Sequence, residues 1–562
     1  MERFSNAMGK VLLRAFAPLR ETTPAGNRTA KLLLGVTVVF LIAGAEIINT
    51  SQAQTALAAA QKTERRPLTL EERRGKALYL RGESSSGKEI TALLGDLDVP
   101  ASTLTCAGCH GARAEGKTEG GVTAGNLTWS NLVKSYGHTH DSGRQHGAFT
   151  ENSFIRALTS GVDPANNKLA VAMPIYHMPQ QDMSDLIAYL KRVETDLDPG
   201  LTDDTIVVGT LLPEKGALTG LGQAMEDVLQ AYFKEVNSTG GVFHRKIELQ
   251  VLNGKPSATV ANMKHLIDDQ HVFAIVSGLT AGAEDGVATL SRESEVPLIG
   301  PSTLLPERTL PLNRYVFYLL PGLKEQARSL VNFAAKKRGS PKVAIVAAET
   351  EFNRVIAEAV ADQARKRGWT EITNIHYSDA NENLARRIAE LQEKQIDTVF
   401  LLGSAPDTAA FFREATVAEW MPEVYLLGSL IGRDAPELVP SIMKDRVYLA
   451  FPTIPADVSP AGAAEYSELL QRNKLSSTHA AAQASAIAAA KILVHALELC
   501  GKDLSRERLI TTLEGLYEYD TGLMPRITFG PNRRIGVLGA YIITIDPQKK
   551  LFPATAEWVP AE

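Results

Sequence analysis

The stretch Thr105-Cys106-Ala107-Gly108-Cys109-His110-Gly111 decides the fold of the first globular part of this chain. Two cysteines two residues apart, followed at once by a histidine, let two thiols bond the vinyl groups of one porphyrin while the imidazole reaches the iron. A zinc half-site is the competing reading, but the chain has 3 cysteines in all and no second C-x-x-C pair to complete one. The motif therefore predicts a single covalent haem c, attached at Cys106 and Cys109, with His110 as an iron ligand. The remaining cysteine, Cys500, ends the helical stretch Ala480 to Leu499 and reads as a small buried hydrophobe.

Working outward, such a motif needs a helix before it and a helix after it that pack together. Leu70 to Leu80 supplies the first, with Gly75 and Tyr79 four apart on one face, a small and a large residue that permit a close crossing. Met183 to Val193 supplies the last, with Leu186, Ile187, Tyr189 and Leu190 as its apolar side. The loop before it reads Ala172-Met173-Pro174-Ile175-Tyr176-His177-Met178-Pro179 and holds the sixth iron ligand. Met173 is the expected ligand, with Met178 and then His177 as alternatives, and a thioether there raises the haem potential.

From Gly75 and Tyr79 through the cysteine motif to Met173-Pro174 and the last helix, residues 67–194 resemble a class I cytochrome c. The resemblance implies an all-α domain and electron transfer between exported redox partners. One stretch departs from the minimal pattern: His138 and His140, followed by Arg144 and His146, gather three of the 11 histidines. Such a cluster suits copper or zinc, or a polar loop near the haem edge.

Before this domain, Lys10, Arg14, Arg20, Arg28 and Lys31 precede the apolar run Leu32 to Ala45, the layout of an export signal. Ile47 and Ile48 extend the run past Glu46 towards a spanning length, and Ser51-Gln52-Ala53 offers a cleavage site. Residues 1–53 are thus a signal peptide or a membrane anchor, and residues 54–66 a tether. Either outcome places the rest of the chain in the periplasm. Residues 195–204, polar and broken by Pro199-Gly200, read as an interdomain linker.

From Thr205 onward short apolar runs alternate with helical stretches. Ile206 to Leu212, Ile247 to Leu252, Val272 to Val276, Lys342 to Ala347, Thr398 to Leu402 and Val424 to Leu427 read as buried strands. Met225 to Val236, Leu323 to Lys337, Val355 to Arg367, Leu384 to Glu393 and Asp407 to Ala418 read as the crossover helices of parallel sheets. Residues 205–562 are too long for one such sheet, so two α/β lobes are expected, with a cleft at the carboxyl ends of the strands.

Three stretches, Val208 to Pro213, Glu235 to Val242 and Val296 to Thr303, make residues 205–545 similar to the type 1 periplasmic binding proteins, in particular the leucine/isoleucine/valine-binding family. By that resemblance the ligand carboxylate meets the loops Gly278 to Gly282 and Pro301 to Thr303, which nominates Thr280, Ala281, Ser302 and Thr303. Small residues and free N–H groups at strand ends suit an anion. Phe352 stands where the family places an aromatic residue, without its hydroxyl. Gly428 to Gly432, matched to the segment that carries the acid for the ligand ammonium, has no carboxylate. An unpaired buried ammonium is costly, so the departure points to a small molecule other than an ordinary α-amino acid, or to a cleft that has lost its old ligand.

Composition limits what else this chain can be. Its 562 residues carry a formal charge of -5, and no basic stripe with interleaved aromatics marks nucleic acid as a partner. No Ser-His-Asp, H-E-x-x-H or phosphate-binding Gly loop stands out. The leading expectation is a periplasmic electron carrier coupled to a small-molecule-binding module, rather than an enzyme. An ABC-importer receptor with an accessory haem is the first alternative. A haem oxidoreductase, which needs a vacant iron position, is the second.

Overall fold

The computed structural model describes residues 68–562 apart from 141, 215–217, 309, 340, 379–383, 433–434 and 554. The signal or anchor and the tether expected for residues 1–66 lie outside the described residues.

The two helices that close the first domain are Leu70–Arg81 and Gln180–Leu190. They cross at Gly75, where a Cβ would sit 2.0 Å from the Asp185 carbonyl oxygen and 2.8 Å from Tyr189 Cβ. Arg74 locks the crossing with a two-pronged bond to the buried Asp185 carboxylate, 2.6 and 3.0 Å. The Tyr79 and Tyr189 rings pack 5.8 Å apart beside it. Gly75→Val forces the backbones apart, so it is expected to lower stability by about 1–3 kcal/mol. Thermal unfolding followed at the haem absorbance checks this, with Arg73→Ala, on another face of the helix, as the control.

Between those helices lie Cys106–His110, Trp129–Leu132 and Glu151–Ser160. The helical frame also carries short strands. Leu97–Pro100, Thr91–Leu94 and Ile175–His177 form one antiparallel sheet, and two small hairpins pair Lys117–Glu119 with Val122–Ala124 and His138–Thr139 with Gln145–His146.

The second part is a pair of doubly wound lobes. In the first, five parallel strands run in the order Val316–Phe317, Leu298–Ile299, Ala274–Val276, Thr205–Pro213, Lys246–Gly254. In the second, Ile372–Tyr377, Val343–Ala348, Thr398–Leu402, Glu423–Leu427 and Val447–Phe451 are parallel, and Gly539–Thr544 and Ala556–Pro560 extend the sheet antiparallel. Each sheet has an apolar core on both faces. The helix Ala480–Cys500 is long and apolar enough to cross a membrane, yet it fills the core of the first lobe, with Ala486 to Ala490 nearly inaccessible. Cys500 is fully buried there.

The cytochrome-like domain is joined to the first lobe by a buried polar seam. Lys76 reaches Asp196 (2.8 Å) and Asp198 (3.3 Å). Asp198 in turn accepts the Arg506 backbone N–H at 2.6 Å. The Arg506 guanidinium donates to the carbonyls of Val272 (2.7 Å), Phe273 (2.9 Å) and Ser294 (3.3 Å), at the amino ends of the lobe's strands. Gly200, at φ +77°, passes so close that a Cβ would lie 2.3 Å from the Phe273 nitrogen, so the segment between the domains is seated on the lobe. Arg81 adds longer contacts to Glu295 and Glu507, 3.6 and 3.8 Å.

Candidate functional site

Cys106 and His110 are the first and last residues of a five-residue helix that Thr105 caps by accepting from the Gly108 N–H. Cys106 is buried, and burial pushes its thiol up to about 12, so it stays protonated rather than acting as a metal-binding thiolate. Cys109 is exposed. His110 is buried, with Nδ1 2.6 Å from the Gly125 carbonyl oxygen. A carbonyl can only accept, so Nδ1 carries the hydrogen and Nε2 keeps its lone pair. Burial also holds the His110 pKa below its ordinary value, which keeps the ring neutral. Two thiols and one oriented, neutral imidazole fit a c-type haem.

Two tyrosines clamp this turn from outside it. Tyr79 donates to the Gly111 carbonyl and Tyr176 to the Leu104 carbonyl, each at 2.7 Å. Tyr79 was legible from helix spacing. Tyr176 was not, because only the pairing of Ile175–His177 with Thr91–Leu94 carries its ring to the turn. That same strand alternates faces, so His177, next to the inward Tyr176, lies on the other face and is exposed. Met173 and Met178 flank the strand, both half-buried.

The three histidines of the inserted hairpin do come together. His140 Nε2 lies 2.9 Å from His146 Nε2, and the His138 and His146 rings are 5.1 Å apart. Burial first, and neighbouring positive groups second, lower the pKa of His140. Asp163, fully buried, ties the adjoining loop through Arg144 (2.8 Å) and the N–H groups of Ala165 and Asn167. Among the described residues no group of three or more His, Cys, Asp or Glu side chains stands ready to hold a metal ion.

The nominated cleft loops follow the carboxyl ends of Ala274–Val276 and Leu298–Ile299. Ser277 turns the chain there in the left-handed region, φ +57°. Thr280 is buried, Ser302 and Thr303 are half-buried, and Ala281 lines a small mixed recess with Leu211, Leu252, Lys255, Thr259 and Asn262. The expectation of free N–H groups needs correction at Leu279, Thr280 and Ser302. Leu279 N–H donates to Leu211, Ser302 N–H to Gly278 and Thr280 N–H to Ser302, because the parallel ladder continues through these loops. The Thr303 hydroxyl and the Gly282 N–H both donate to the carboxylate of Glu284, at 2.6 and 2.8 Å, a residue sequence reasoning passed over.

In the second lobe, Phe352 is half-buried in the first turn of the helix Glu351–Lys366, which Thr350 caps. The segment Gly428 to Gly432 begins as a short helix packed so tightly that a Cβ at Gly428 would meet the Phe451 ring at 2.3 Å. Ser429 donates to Gln326 at 3.2 Å.

Comparison with known proteins agrees with both halves. A periplasmic binding protein family model matches residues 205–550, and a cytochrome c family model matches residues 100–194. The chain is 23% identical over 226 residues to Leu/Ile/Val-binding protein homolog 8 of Brucella abortus, covering 38% of this chain and 55% of that protein. It is 20% identical over 200 residues to Leu/Ile/Val-binding protein homolog 3 of Brucella melitensis, covering 35% and 54%. The chain thus spans about half the length of the curated relatives it matches. Among solved structures, a branched chain amino acid ABC transporter protein of Thermus thermophilus with bound valine superposes with a TM-score of 0.50 at 17% identity, covering 64% of this chain and 97% of that one. An ABC transporter substrate binding protein of Aeropyrum pernix gives 0.50 at 18% identity, covering 63% and 96%. These likenesses show the two-lobed fold.

Proposed function

The chain belongs to the periplasmic binding protein family and carries a cytochrome c domain ahead of it, and from that premise we propose a periplasmic electron carrier whose haem domain is fixed to a small-molecule-binding module. Cys106 and Cys109 would hold one haem covalently, His110 would ligate its iron, and Met173 would complete the coordination. The haem, when bound, supplies a one-electron couple. The protein's own part is to orient His110 through Gly125, to clamp the turn with Tyr79 and Tyr176, and to bury the site.

One observation carries the coupling. The helix Leu70–Arg81 grips the haem turn through Tyr79, and reaches the first lobe through Arg81 and, by way of Asp198 in the linker, through Lys76. Its seam is at the amino ends of the strands, whereas the nominated cleft loops follow their carboxyl ends. The cleft ligand is therefore read as a signal or address for the carrier and not as a compound the haem oxidises.

The test begins with the visible spectrum of the purified ferric protein. Methionine ligation is expected to give a weak long-wavelength charge-transfer band that Met173→Ala removes and Met178→Ala retains. The reverse pattern would move the ligand to Met178, and a high-spin spectrum of the unaltered protein would favour a haem enzyme. Mass spectrometry of small molecules released from the exported protein tests the binding module.

An importer receptor with an accessory haem is the second reading, favoured by the Leu/Ile/Val-binding names of the relatives. Permease genes beside this one would support it. Neighbouring dehydrogenase or oxidase genes would support electron transfer.

A further inference from the structure

We infer that the hairpin from His138 to His146 holds one zinc-like divalent ion through the imidazoles of His138, His140 and His146. The backbone sets the three rings on one side. His138 pairs directly opposite His146, and His140, two residues on, continues the pairing by donating its N–H to the Arg144 carbonyl at 2.9 Å. Residues two apart in a strand share a face, and so do residues directly opposite each other. Gly137, at φ +73°, permits the close approach, since a Cβ there would lie 2.3 Å from the His146 carbonyl oxygen.

Two of the ligands already face each other. His146 Nδ1 lies 2.7 Å from the Gly147 carbonyl oxygen, which can only accept, so Nδ1 carries the hydrogen and Nε2 presents a lone pair. That lone pair meets His140 Nε2 at 2.9 Å, with one hydrogen between the two nitrogens. A tetrahedral zinc ion with bonds of about 2.0–2.1 Å sets two such nitrogens about 3.3 Å apart. A small separation of the rings therefore exchanges the hydrogen for a metal, and His140 then carries its hydrogen on Nδ1.

His138 is the third ligand. Its ring centre is 5.1 Å from that of His146, the same spacing as between His140 and His146, and 6.3 Å from that of His140. Its Nε2 is buried and has no hydrogen-bond partner, a state that buried polar atoms rarely keep. No three donors are aligned as the side chains stand, so a turn of the His138 ring completes the site. Neutral imidazoles suit zinc and copper, whereas magnesium and calcium prefer oxygen. The positive groups acting on the cluster are Arg144 and Lys134. Arg144 is offset by the fully buried Asp163 at 2.8 Å, and Lys134 donates to Asn131 Oδ1 at 2.7 Å.

The experiment is titration of the full-length haem protein with Zn2+, with retained zinc counted by mass spectrometry against the haem iron. The unaltered protein is expected to keep one zinc per chain that excess Mg2+ does not displace. Each of His138→Gln, His140→Gln and His146→Gln is expected to weaken Zn2+ binding about tenfold or more. An unchanged haem spectrum shows that a variant is folded, and should His146→Gln fail to fold, His140→Gln, at a half-buried position, decides. His265→Ala removes an exposed histidine paired with Asp269 on the first lobe and is expected to change nothing. X-ray absorption at the zinc edge is expected to show three imidazoles. No retained zinc, displacement by Mg2+, full affinity in any folded member of the three variants, loss in His265→Ala, or fewer than three imidazoles around the metal overturns the inference.

Discussion

Alanine at both Cys106 and Cys109 is expected to leave an exported protein with no haem retained on a denaturing gel, while each single variant retains some through one thioether. The reason is geometric. The two thiols are set on one turn of helix whose start is capped by Thr105 and whose flanking carbonyls, at Leu104 and Gly111, are held by Tyr176 and Tyr79. The turn is therefore held from both sides, and nothing else in the chain can take over the bonds, since Cys500 is buried in the first lobe. Haem staining checks the result. Full staining of the double variant would remove the covalent site from these residues. His110→Ala is expected to keep the covalent staining and to lose the low-spin spectrum, because Nε2 of that ring is the lone pair left available by the bond to Gly125.

The second large effect belongs to the seam. Arg506→Met is expected to destabilise the protein by about 3–5 kcal/mol, since removing one member of a buried polar set leaves the others unpaired. Three carbonyls, of Val272, Phe273 and Ser294, lose their donor together, and Asp198 loses a neighbouring positive charge. Urea unfolding followed separately at the haem and by far-ultraviolet dichroism should show the cost, with the two probes giving midpoints further apart than in the unaltered protein. A change under about 1 kcal/mol would mean that water replaces the guanidinium and that the seam is not structural.

The same seam sets a pH dependence. Burial alone would raise the Asp198 pKa, but the charges of Lys76 and Arg506 outweigh it and hold the carboxyl below its ordinary value of 3.8. A group whose pKa is lower folded than unfolded binds a proton more weakly in the native state. Its stabilisation is complete above pH 3.8 and is lost as the pH falls through the lower folded value. Asp198→Asn is expected to flatten that part of the acid-unfolding curve.

Much of the architecture was legible because it repeats locally. The strand Thr398–Leu402 and the helices Leu323–Lys337 and Leu384–Glu393 begin and end where their apolar pattern does. Elements with a weaker local pattern were missed. Ile372–Tyr377 alternates burial on a sheet edge, and Gly539–Thr544 and Ala556–Pro560 join the second lobe only after the chain has passed through the first. The strand Ile175–His177 reads as plain loop in the sequence because two prolines flank three residues whose partners lie more than eighty positions earlier.

By itself, the sequence determined what a few adjacent residues can specify. That includes the haem turn, the glycine of the helix crossing, the alternation that makes two α/β lobes, and the missing acid between Gly428 and Gly432. These are short-range statements, and covalent spacing settles them. Only the tertiary structure decided what depends on groups brought together from afar. Arg506 meets Asp198 across a separation of 308 residues, which turns a polar linker into a seam. Glu284 meets Thr303 across a helix and a strand, which takes that hydroxyl out of the expected set of anion donors. A hydrogen bond between side chains depends on positions that only packing fixes, so neither residue carries in its own sequence context a sign of the partner it finds.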